Sequence, residues 1–425
     1  MTVLEQAQGA RKASFRLAGA ATELKDRALA AIAAAIDGNR KRILEENRRD
    51  QEQARKSGLK DSLFKRLVLT DRKIDRIVES VRDVERLEDP AGKILWIREL
   101  DSGLVLKKVT VPIGVIGVIF ESRPDVLVQI STLCLKSGNA VILKGGSEAL
   151  HSNRVLFELV RRAAEDTDAV FHGALHLAET REQIGELLKL DRWIDLVIPR
   201  GSNELVRRIQ ESTRIPVLGH AEGICHLYVD READVDMAVE VAWDAKCQYP
   251  AVCNAIETLL VHTDLAERFL PPLAERLEGV ELRGDERTRR IIRARAATEQ
   301  DWSSEYNDLI LAIRVVDSLE QAVDHINTYG SHHTDGIVTA DEAAARRFLA
   351  EVDSSSVMWN CSTRFADGFR YGLGAEVGIS TGKIHARGPV GLEGLASTKF
   401  LLEGAGHLVA GYADGSRSFT HRDLQ

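Results

Sequence analysis

The amino-acid sequence predicts an α/β protein built on parallel β-sheets. Residues 1 to about 90 place apolar residues at helical spacing with almost no turn signals, which predicts several long helices. From about 113 to 229, and again from 224 to about 360, short apolar strands alternate with helices. Because strand–helix–strand units join parallel strands, both series predict parallel sheets that bind ligands at the carboxyl ends of their strands.

The composition is that of an ordinary soluble globular protein. The chain has 425 residues, enough for two or three domains, with 44% hydrophobic and 29% charged residues. The net charge of −8 provides no basic surface, so we expect no nucleic-acid partner. The amino terminus lacks a secretory signal, and the longest apolar runs, residues 28–36 and 115–120, are too short to span a membrane. We therefore expect a cytoplasmic protein without membrane contact.

The predicted strands follow one another in chain order. In the first half they cover residues 104–111, 113–120, 140–143 and 194–198. In the second half they cover residues 257–261, 309–316, 335–339, 355–359 and 397–402. The segment from 365 to 404 is rich in glycine, and the residues beyond about 410 are expected to be frayed.

Two of these strands end in a glycine-containing turn that leads into a helix. The turns are Lys144-Gly145-Gly146-Ser147 and Pro199-Arg200-Gly201-Ser202-Asn203. Such turns suit phosphate groups at helix N-termini, which indicates nucleotide binding. Neither turn has the GxGxxG pattern, so a purely structural role stays open.

The five cysteines are widely spaced, odd in number and without a CxxC pair. This pattern is neither a disulfide framework nor a zinc site, so we expect a reducing compartment and no bound metal. Cys253 lies in a loop that runs into the predicted strand 257–261. A loop cysteine is a nucleophile where a helix N-terminus or a cation favours its thiolate, and otherwise a small buried hydrophobic residue. The residues alone leave both interpretations open.

Several segments resemble the aldehyde dehydrogenase superfamily and, within it, the γ-glutamyl phosphate reductases. The most specific are PIGVIGVIFESRPDV (112–126), VILKGGSEALHSN (141–153), QYPAVCNAIETLLVH (248–262), SSEYNDLILAIRVVDS (303–318) and STGKIHARGPVGLEGLASTKFLLEGAGH (380–407). The resemblance covers nearly the whole chain. It implies an aldehyde dehydrogenase-like fold: a Rossmann-type cofactor domain, an α/β catalytic domain and a small β arm for oligomerisation.

The resemblance also implies domain boundaries. The helical start and the NADP-binding domain take residues 1–102 and 113–229, and the catalytic domain takes 230–365. The arm takes 103–112 and 397–409. The glycine-rich tail, 366–396, returns toward the cofactor domain and the active site.

Site residues carry over at the matching positions. Cys253 resembles the family nucleophile, Lys144 the lysine on the adenosine ribose, and Glu305 the glutamate on the nicotinamide ribose. Ser147 stands where NAD-preferring members have a glutamate; because a serine does not repel a 2′-phosphate, NADP is the expected cofactor. The turn residues Gly201 and Ser202 are further candidates for binding the cofactor.

Two departures from the family pattern concern catalysis. The segment 120–124 has no counterpart of the family's oxyanion asparagine, so Ser122, Arg123 and Asn254 are candidate oxyanion or substrate donors. His220 stands where hydrolytic members have a water-activating glutamate, and it is a candidate for contact with the substrate. Glu222 fills that position only with a gap. Loss of the water base suits an enzyme whose thioester exchanges with phosphate.

The implied reaction is the NADPH-dependent reduction of L-glutamyl 5-phosphate to L-glutamate 5-semialdehyde, with release of phosphate. A hydrolytic NAD(P)-dependent aldehyde dehydrogenase is one alternative, and an inactive member with a structural role is another. A homodimer or larger homo-oligomer is expected, and glutamate 5-kinase is a possible functional partner. Five cations are candidates for binding the substrate's carboxylate and phosphate: Arg123, Arg364, Arg370, Lys383 and Arg387.

Overall fold

The computed structural model describes residues 1–59, 61–220 and 222–424. The amino-terminal part is helical, as predicted. The first helix begins at a capping box, in which Thr2 and Glu5 each accept a hydrogen bond from the other's backbone N–H. The described helices are α1 (Val3–Leu17), α2 (Thr22–Gly38), α3 (Arg40–Lys56), α4 (Asp61–Leu67), α5 (Asp71–Arg86), α6 (Pro124–Lys136), α7 (Leu150–Thr167), α8 (Glu182–Leu187), α9 (Asn203–Ser212), α10 (Val235–Cys247), α11 (Thr263–Arg276), α12 (Glu286–Ile291), α13 (Leu319–Tyr329), α14 (Glu342–Glu351) and α15 (Val409–Ala413).

The described strands form two parallel sheets and two antiparallel ones. They are β1 (Ile94–Asp101), β2 (Leu104–Pro112), β3 (Val115–Phe120), β4 (Ala140–Lys144), β5 (Leu175–Ala178), β6 (Leu196–Arg200), β7 (Cys225–Val229), β8 (Ile256–His262), β9 (Glu281–Gly284), β10 (Arg295–Ala296), β11 (Ile310–Val316), β12 (Thr334–Val338), β13 (Ser356–Trp359), β14 (Gly378–Ser380), β15 (Gly388–Val390), β16 (Ala396–Glu403) and β17 (Arg422–Asp423). The predicted α/β class is confirmed.

The first parallel sheet has the strand order β5-β4-β3-β6. β3 and β4 are buried along their whole length, which explains why both are continuous apolar runs. The chain proceeds from β3 to β4 and β5 and then returns to place β6 on the other side of β3. The carboxyl ends of β3 and β6 therefore flank a topological switch point, where open α/β sheets bind their ligands. The amino-terminal helices share the hydrophobic core of this sheet.

The second parallel sheet has seven strands in the order β10-β9-β11-β8-β7-β12-β13. The four predicted strands between residues 257 and 359 correspond to β8, β11, β12 and β13, with each end within one residue of the prediction. Short strands β5, β9 and β10 were not predicted, because charged residues or histidine interrupt their few apolar positions. β8 lies at the centre of the sheet and is buried at all of its positions.

An antiparallel sheet of order β16-β2-β1-β17 corresponds to the expected arm but is larger than expected. The sequence had assigned residues 94–101 to the helical part, whereas β1 pairs with β2 across a tight turn at Gly103, whose φ is +73°. The change of character at residues 101–103 is thus a hairpin turn and not a domain boundary. The expectation of a frayed end is also wrong, because β17 pairs with β1 and Arg98 contacts Asp423 at 2.6 Å.

The glycine-rich segment 366–396 returns to the first sheet. Val377, Val390, Leu392 and Leu395 belong to the same hydrophobic core as β3 and β4. β14 and β15 form an antiparallel pair within this segment, which places Ile379 beside the carboxyl end of β6. Among the helices that the structure describes, none combines the length and the apolar character that crossing a lipid bilayer requires.

Candidate active site

A cleft of about 650 Å³ opens at the switch point between β3 and β6 and faces the loop that precedes β8. Separate parts of the chain supply its walls: the ends of β3 and β6, the start of α9, the stretch around 219–220, the loop 251–254, and the tail. The polar side chains that line it include Glu121, Arg123, Arg200, His220, Cys253, Asn254, Glu305, Arg364 and Glu376.

Cys253 is held in this cleft by a loop with several anchors. Asn254 donates from Nδ2 to the carbonyl of Ala366 at 2.9 Å, and the Asn254 carbonyl accepts from Thr363 Oγ1 at 2.7 Å. The Cys253 carbonyl accepts from Cys225 Sγ at 3.1 Å. Gly223 packs so closely that a Cβ there would lie 2.6 Å from that of Cys253, so only glycine fits. These contacts fix the direction of the thiol.

The thiol of Cys253 is protonated in the free protein. Burial raises its pKa to about 12, and the carboxylates of Glu305 and Glu376 add to this effect. Arg200 and the backbone N–H of Cys253 itself act in the opposite direction but do not prevail. Residues 248–255 contain no helix start, so the helix N-terminus that would favour a thiolate is missing. The sulfur therefore needs a proton acceptor before it can attack.

His220 is suited to accept that proton. Its Nδ1 lies 2.9 Å from the carbonyl of Ile379, and because a carbonyl only accepts, Nδ1 carries the hydrogen and Nε2 keeps a lone pair. Burial lowers the pKa of His220, and Arg200 acts in the same direction, so the ring is neutral. A neutral ring of this tautomer has no N–H left for an oxyanion. His220 therefore fits the role of a base and not that of an oxyanion donor.

A second histidine that the sequence did not point to, His333, lies beside the same thiol. One ring nitrogen each of His220 and His333 and the Sγ of Cys253 are all within 4.8 Å of one another, and the two rings meet edge to face. His333 is fully buried, and its Nε2 has no hydrogen-bond partner among the described residues. The three residues are far apart in sequence, so no spacing pattern could have revealed the group.

Glu305, a predicted cofactor residue, lies in the cleft and is held from two sides. Its carboxylate accepts from Asn203 Nδ2, at the start of α9, at 2.5 Å. The loop that carries it is tied down by a buried ion pair, in which Lys246 Nζ contacts Glu257 at 2.6 Å while Glu257 also accepts from the backbone of Asn307 at 3.2 Å. Burial raises the pKa of Glu305. The same ion pair joins the end of α10 to the start of β8, on either side of Cys253.

Arg200 and Glu376 are cleft residues that the sequence analysis missed. Arg200 ends β6, and its guanidinium lies 3.8 Å from the Glu376 carboxylate. The Glu376 carboxylate also accepts from the backbone of Gly368 at 2.9 Å. Arg200 had a usable signal, since a charged residue at the carboxyl end of a parallel strand points to the ligand-binding edge. Glu376 lies in the tail that was expected to return to the active site, but no local pattern singled it out within that segment.

The five cations proposed for substrate binding differ in their positions. Arg123 and Arg364 line the cleft. Lys383 and Arg387 instead contact Asp353, at 2.6 and 3.1 Å, and do not line it. Arg370 donates to the carbonyl of Arg364 at 2.6 Å and so helps to position that residue. The arginines that line the cleft are Arg66, Arg123, Arg200 and Arg364, of which Arg123 also contacts Asp125 at 2.9 Å.

Ser122 does not fit the role of oxyanion donor. Its hydroxyl and its backbone N–H both donate to the Glu148 carboxylate, each at 2.6 Å, and its side chain is buried away from the cleft. Asn254 lines the cleft, but one of its two N–H groups is taken by Ala366. The remaining candidates for stabilising an oxyanion are Arg123 and the backbone N–H of Cys253. That N–H already interacts with the sulfur of the same residue, where it lowers the pKa of the thiol.

The predicted ribose contacts lie at the end of β4. Lys144 is buried and donates to the carbonyl of Gly145; burial lowers its pKa, whereas Glu148 acts against this. Ser147 opens a short 3₁₀ turn and is exposed to solvent. The neighbouring Glu148 carboxylate accepts two hydrogen bonds from Ser122. The exposed group three residues after Lys144 is therefore the hydroxyl of Ser147 and not a carboxylate.

Gly201 and Ser202, the other predicted cofactor residues, lie at the start of α9. The backbone N–H of Ser202 donates to Glu121 at 2.9 Å, and Ser202 Oγ caps the helix by accepting from Leu205. A Cβ on Gly201 would lie 2.4 Å from the Glu121 carboxylate, so glycine is required for this approach. The donors at this helix start thus suit an anion, and a cofactor phosphate would have to displace Glu121 to use them.

A buried cysteine on a loop that faces the switch point of a parallel sheet indicates the class of the protein: an oxidoreductase of the aldehyde dehydrogenase fold. The profile of the aldehyde dehydrogenase family matches residues 3–297. Dehydrogenases of this class need a hydride carrier of the NAD(P) type, and the buried lysine, the cleft glutamate and the donors at α9 fit such a group.

Named relatives identify the branch. The γ-glutamyl phosphate reductase of Methanococcoides burtonii is 56% identical over 98% of this chain and 95% of its own. That of Pelotomaculum thermopropionicum is 56% identical over 100% of this chain and 98% of its own. The crystal structure of the Thermotoga maritima γ-glutamyl phosphate reductase aligns with a TM-score of 0.94 at 43% identity, covering 96% of this chain and 100% of that one. The chain belongs to the γ-glutamyl phosphate reductase family, and the resemblance found in the sequence is confirmed.

Proposed function

We propose that the chain reduces L-glutamyl 5-phosphate to L-glutamate 5-semialdehyde with NADPH, releasing phosphate, as a step of proline biosynthesis. The observation that carries the proposal is the setting of Cys253, whose thiol shares one cleft with a proton-accepting histidine and with arginine side chains that suit a doubly anionic substrate. The relatives named γ-glutamyl phosphate reductase support the same reaction.

The first half of the reaction forms a thioester. His220 accepts the proton of the Cys253 thiol, while its own Nδ1–H stays on the Ile379 carbonyl. The sulfur then attacks the acyl carbon of the substrate, and the bond between that carbon and the phosphate oxygen breaks. The departing phosphate takes up a proton from solvent, and Arg200 and Arg123 stabilise its negative charge.

The second half returns the enzyme to its starting state. NADPH, when bound, supplies the hydride that reduces the thioester carbon, and Lys144 and Glu305 are the residues that would hold its riboses. The tetrahedral adduct on Cys253 expels the sulfur and releases the aldehyde. The protonated His220 then gives its proton back to the thiolate, so the chain is unchanged over the cycle.

A hydrolytic aldehyde dehydrogenase is the alternative, and the setting of Glu222 argues against it. Hydrolysis of the thioester needs a carboxylate or another base that activates water. Glu222 forms an ion pair with Arg207 on α9, so it is not free for that role. His220, from the same stretch, is the base for the thiol itself.

NADPH oxidation in the presence of L-glutamyl 5-phosphate, generated continuously by a glutamate 5-kinase with ATP and glutamate, tests the proposed function. We expect turnover with the wild-type chain and none with Cys253→Ala, which should still fold and bind NADPH. Cys247→Ala is the control, because this half-buried cysteine ends α10 outside the cleft. Failure of the wild-type chain to oxidise NADPH, or substantial turnover by Cys253→Ala, would overturn the proposal.

Preference for NADPH over NADH is the second part of the proposal. Its support is the exposed hydroxyl of Ser147 at the place where a carboxylate would repel a 2′-phosphate. The neighbouring carboxylate, Glu148, is held by two donors of Ser122. The site therefore presents no free negative charge at residue 147.

Assembly as a homodimer or a larger homo-oligomer is the third part. β16 is an edge strand, and Phe400 and Leu402 on it are exposed by 61% and 58%. An exposed apolar edge strand pairs readily with another chain, and a second copy would cover it. Since the substrate is an acyl phosphate, a kinase acting on the γ-carboxyl group of glutamate must supply it, and that kinase is a possible functional partner.

A further inference from the structure

Three groups that bind transition metals meet at Cys253, which lines the cleft. Cys253 Sγ and one ring nitrogen each of His220 and His333 lie within 4.8 Å of one another. We propose that these three residues form a binding site for a thiophilic divalent cation such as Zn²⁺, which reversibly blocks the enzyme by taking its nucleophile. The site goes beyond the reductase activity and does not depend on it.

Unpartnered and correctly oriented donors point to a ligand at this place. His333 is fully buried, yet its Nε2 has no hydrogen-bond partner among the described residues. A buried polar atom without a partner is costly, and a metal ion would satisfy it. His220 donates its Nδ1–H to the Ile379 carbonyl, which is the arrangement that orients metal-binding histidines and leaves Nε2 as the ligand.

The second nitrogen of His333 is also accounted for. Its Nδ1 lies 2.9 Å from Thr334 Oγ1 and 3.7 Å from Cys225 Sγ. The Cys225 thiol donates its hydrogen to the carbonyl of Cys253. The ligand set is therefore two imidazoles and one thiol, a combination that favours zinc over magnesium or calcium.

The spacing of the three groups suits a tetrahedral ion after a small adjustment. Ligand atoms around tetrahedral zinc lie roughly 3.3–3.7 Å apart, given bonds of about 2.0–2.3 Å. The present separations do not exceed 4.8 Å, so the three side chains must move closer together to reach bonding distance. Water can complete the coordination at the fourth position, as in zinc sites with three protein ligands.

Metal binding at this place is a simple exchange of the thiol proton for the cation. The S–H bond of Cys253 breaks, an S–metal bond forms, and the proton leaves to solvent without any change of oxidation state. A sulfur bonded to the metal is no longer available to the acyl phosphate. Inhibition should therefore be complete at saturation and should be relieved by a chelator.

Direct binding tests the site without substrate or cofactor, so its failure would leave the proposed reductase activity untouched. The full chain, freed of metal with a chelator, is titrated with ZnCl₂ by calorimetry and with CoCl₂ by absorption spectroscopy. We expect one ion per chain, a thiolate-to-cobalt charge-transfer band, and loss of that band in Cys253→Ser. His333→Phe should weaken the affinity on the order of 100-fold, since removing even an outer partner of a ligand costs 10–100-fold.

His325→Phe is the matched control. His325 is also buried with an unpartnered Nε2, but it contacts Arg314 and Tyr329 away from the cleft, so zinc affinity should be unchanged. If His333→Phe does not fold, His333→Gln replaces it, and the Cys253→Ser spectrum decides independently. Absence of a tight site in the wild-type chain overturns the proposal. Equal affinity of the wild type, Cys253→Ser and either folded His333 variant also overturns it, because binding would then be at the surface.

Discussion

At the scale of single residues, the reactivity of Cys253 is set by its neighbours. A buried thiol between two carboxylates is a weak acid, so the resting group is stable toward side reactions. The same burial keeps His220 neutral and ready to accept a proton. In the proposed mechanism, proton transfer from the sulfur to the imidazole forms the nucleophile.

The pH dependence of Cys253 alkylation follows from this setting. With a pKa of about 12, the thiolate fraction of the free protein should rise about tenfold per pH unit throughout the range in which the chain stays folded. Iodoacetamide labelling, followed by mass spectrometry of the Cys253 peptide, measures the rate. A plateau with a midpoint below pH 8.5 would mean a resting thiolate and would contradict the protonated state described above.

Replacement of His220 by Asn should remove the base and keep the fold. The Asn side chain can still donate to the Ile379 carbonyl, whereas the lone pair of Nε2 is lost. We expect kcat to fall by roughly 10²–10⁴-fold, the usual contribution of a general base, with NADPH affinity unchanged. Steady-state kinetics and a fluorescence titration of NADPH measure the two effects. Unchanged kcat would remove His220 from the mechanism.

Ser147→Glu should change the choice of cofactor. The new carboxylate would repel the 2′-phosphate of NADPH and could accept a hydrogen bond from the ribose of NADH. We expect kcat/KM for NADPH to fall by at least about tenfold, while that for NADH stays equal or rises. Ser147→Ala is the control for loss of the hydroxyl alone. A wild-type chain that used both cofactors equally well would contradict the argument.

At the scale of secondary-structure elements, the short loop that carries Cys253 is held by the buried elements on either side of it. The loop with Cys253 joins α10 to β8, and the Lys246–Glu257 ion pair links these two elements directly. Because both partners are buried and burial already raises the pKa of Glu257 to about 7, removing Lys246 should raise that pKa further and destabilise the fold. The arm differs from these elements because its strand β16 presents apolar side chains to solvent.

Truncation after Ala396 should convert the assembled protein into a monomer. The deletion removes β16 and its exposed apolar side chains, which are the expected contact with a second copy. Size by light scattering at micromolar concentration measures the change, and Leu402→Asp tests the same surface without a deletion. Lys399→Asp is the control on the same strand. A wild-type chain that is monomeric at these concentrations would refute the role of the arm.

At the scale of the whole molecule, periodicity and motifs predicted the parallel sheets and pointed to Cys253, which lies in the cleft, since each rests on a local pattern. Its role as the nucleophile stays a prediction. The strands β8, β11, β12 and β13 were found within one residue because apolar runs mark buried parallel strands. The hairpin β1–β2 was mistaken for a domain boundary because turn residues such as those at 101–103 occur both in hairpins and between domains. Ser122 was misassigned because its partner, Glu148, is a contact made only in the folded chain.

The grouping of His333 with Cys253 and His220 also required the structure. His333 precedes β12 and His220 follows α9, and the pairing of β12 with β7 contributes to bringing His333 close to Cys253. Arg200 and Glu376 meet there for the same reason, one from the end of β6 and the other from the tail. Contacts between distant segments carry most of the electrostatics of this site, and no local pattern encodes them.

The reverse reaction tests the central claim, a Cys253 thioester that exchanges with phosphate, more directly than any other measurement. The wild-type chain is given L-glutamate 5-semialdehyde and NADP⁺, and NADPH formation is followed at several phosphate concentrations, with Cys253→Ala and Cys247→Ala alongside. We expect NADPH formation that depends on phosphate, is absent in Cys253→Ala and is retained in Cys247→Ala. Equal rates of NADPH formation with and without phosphate would mean that water resolves the thioester, and would contradict the central claim.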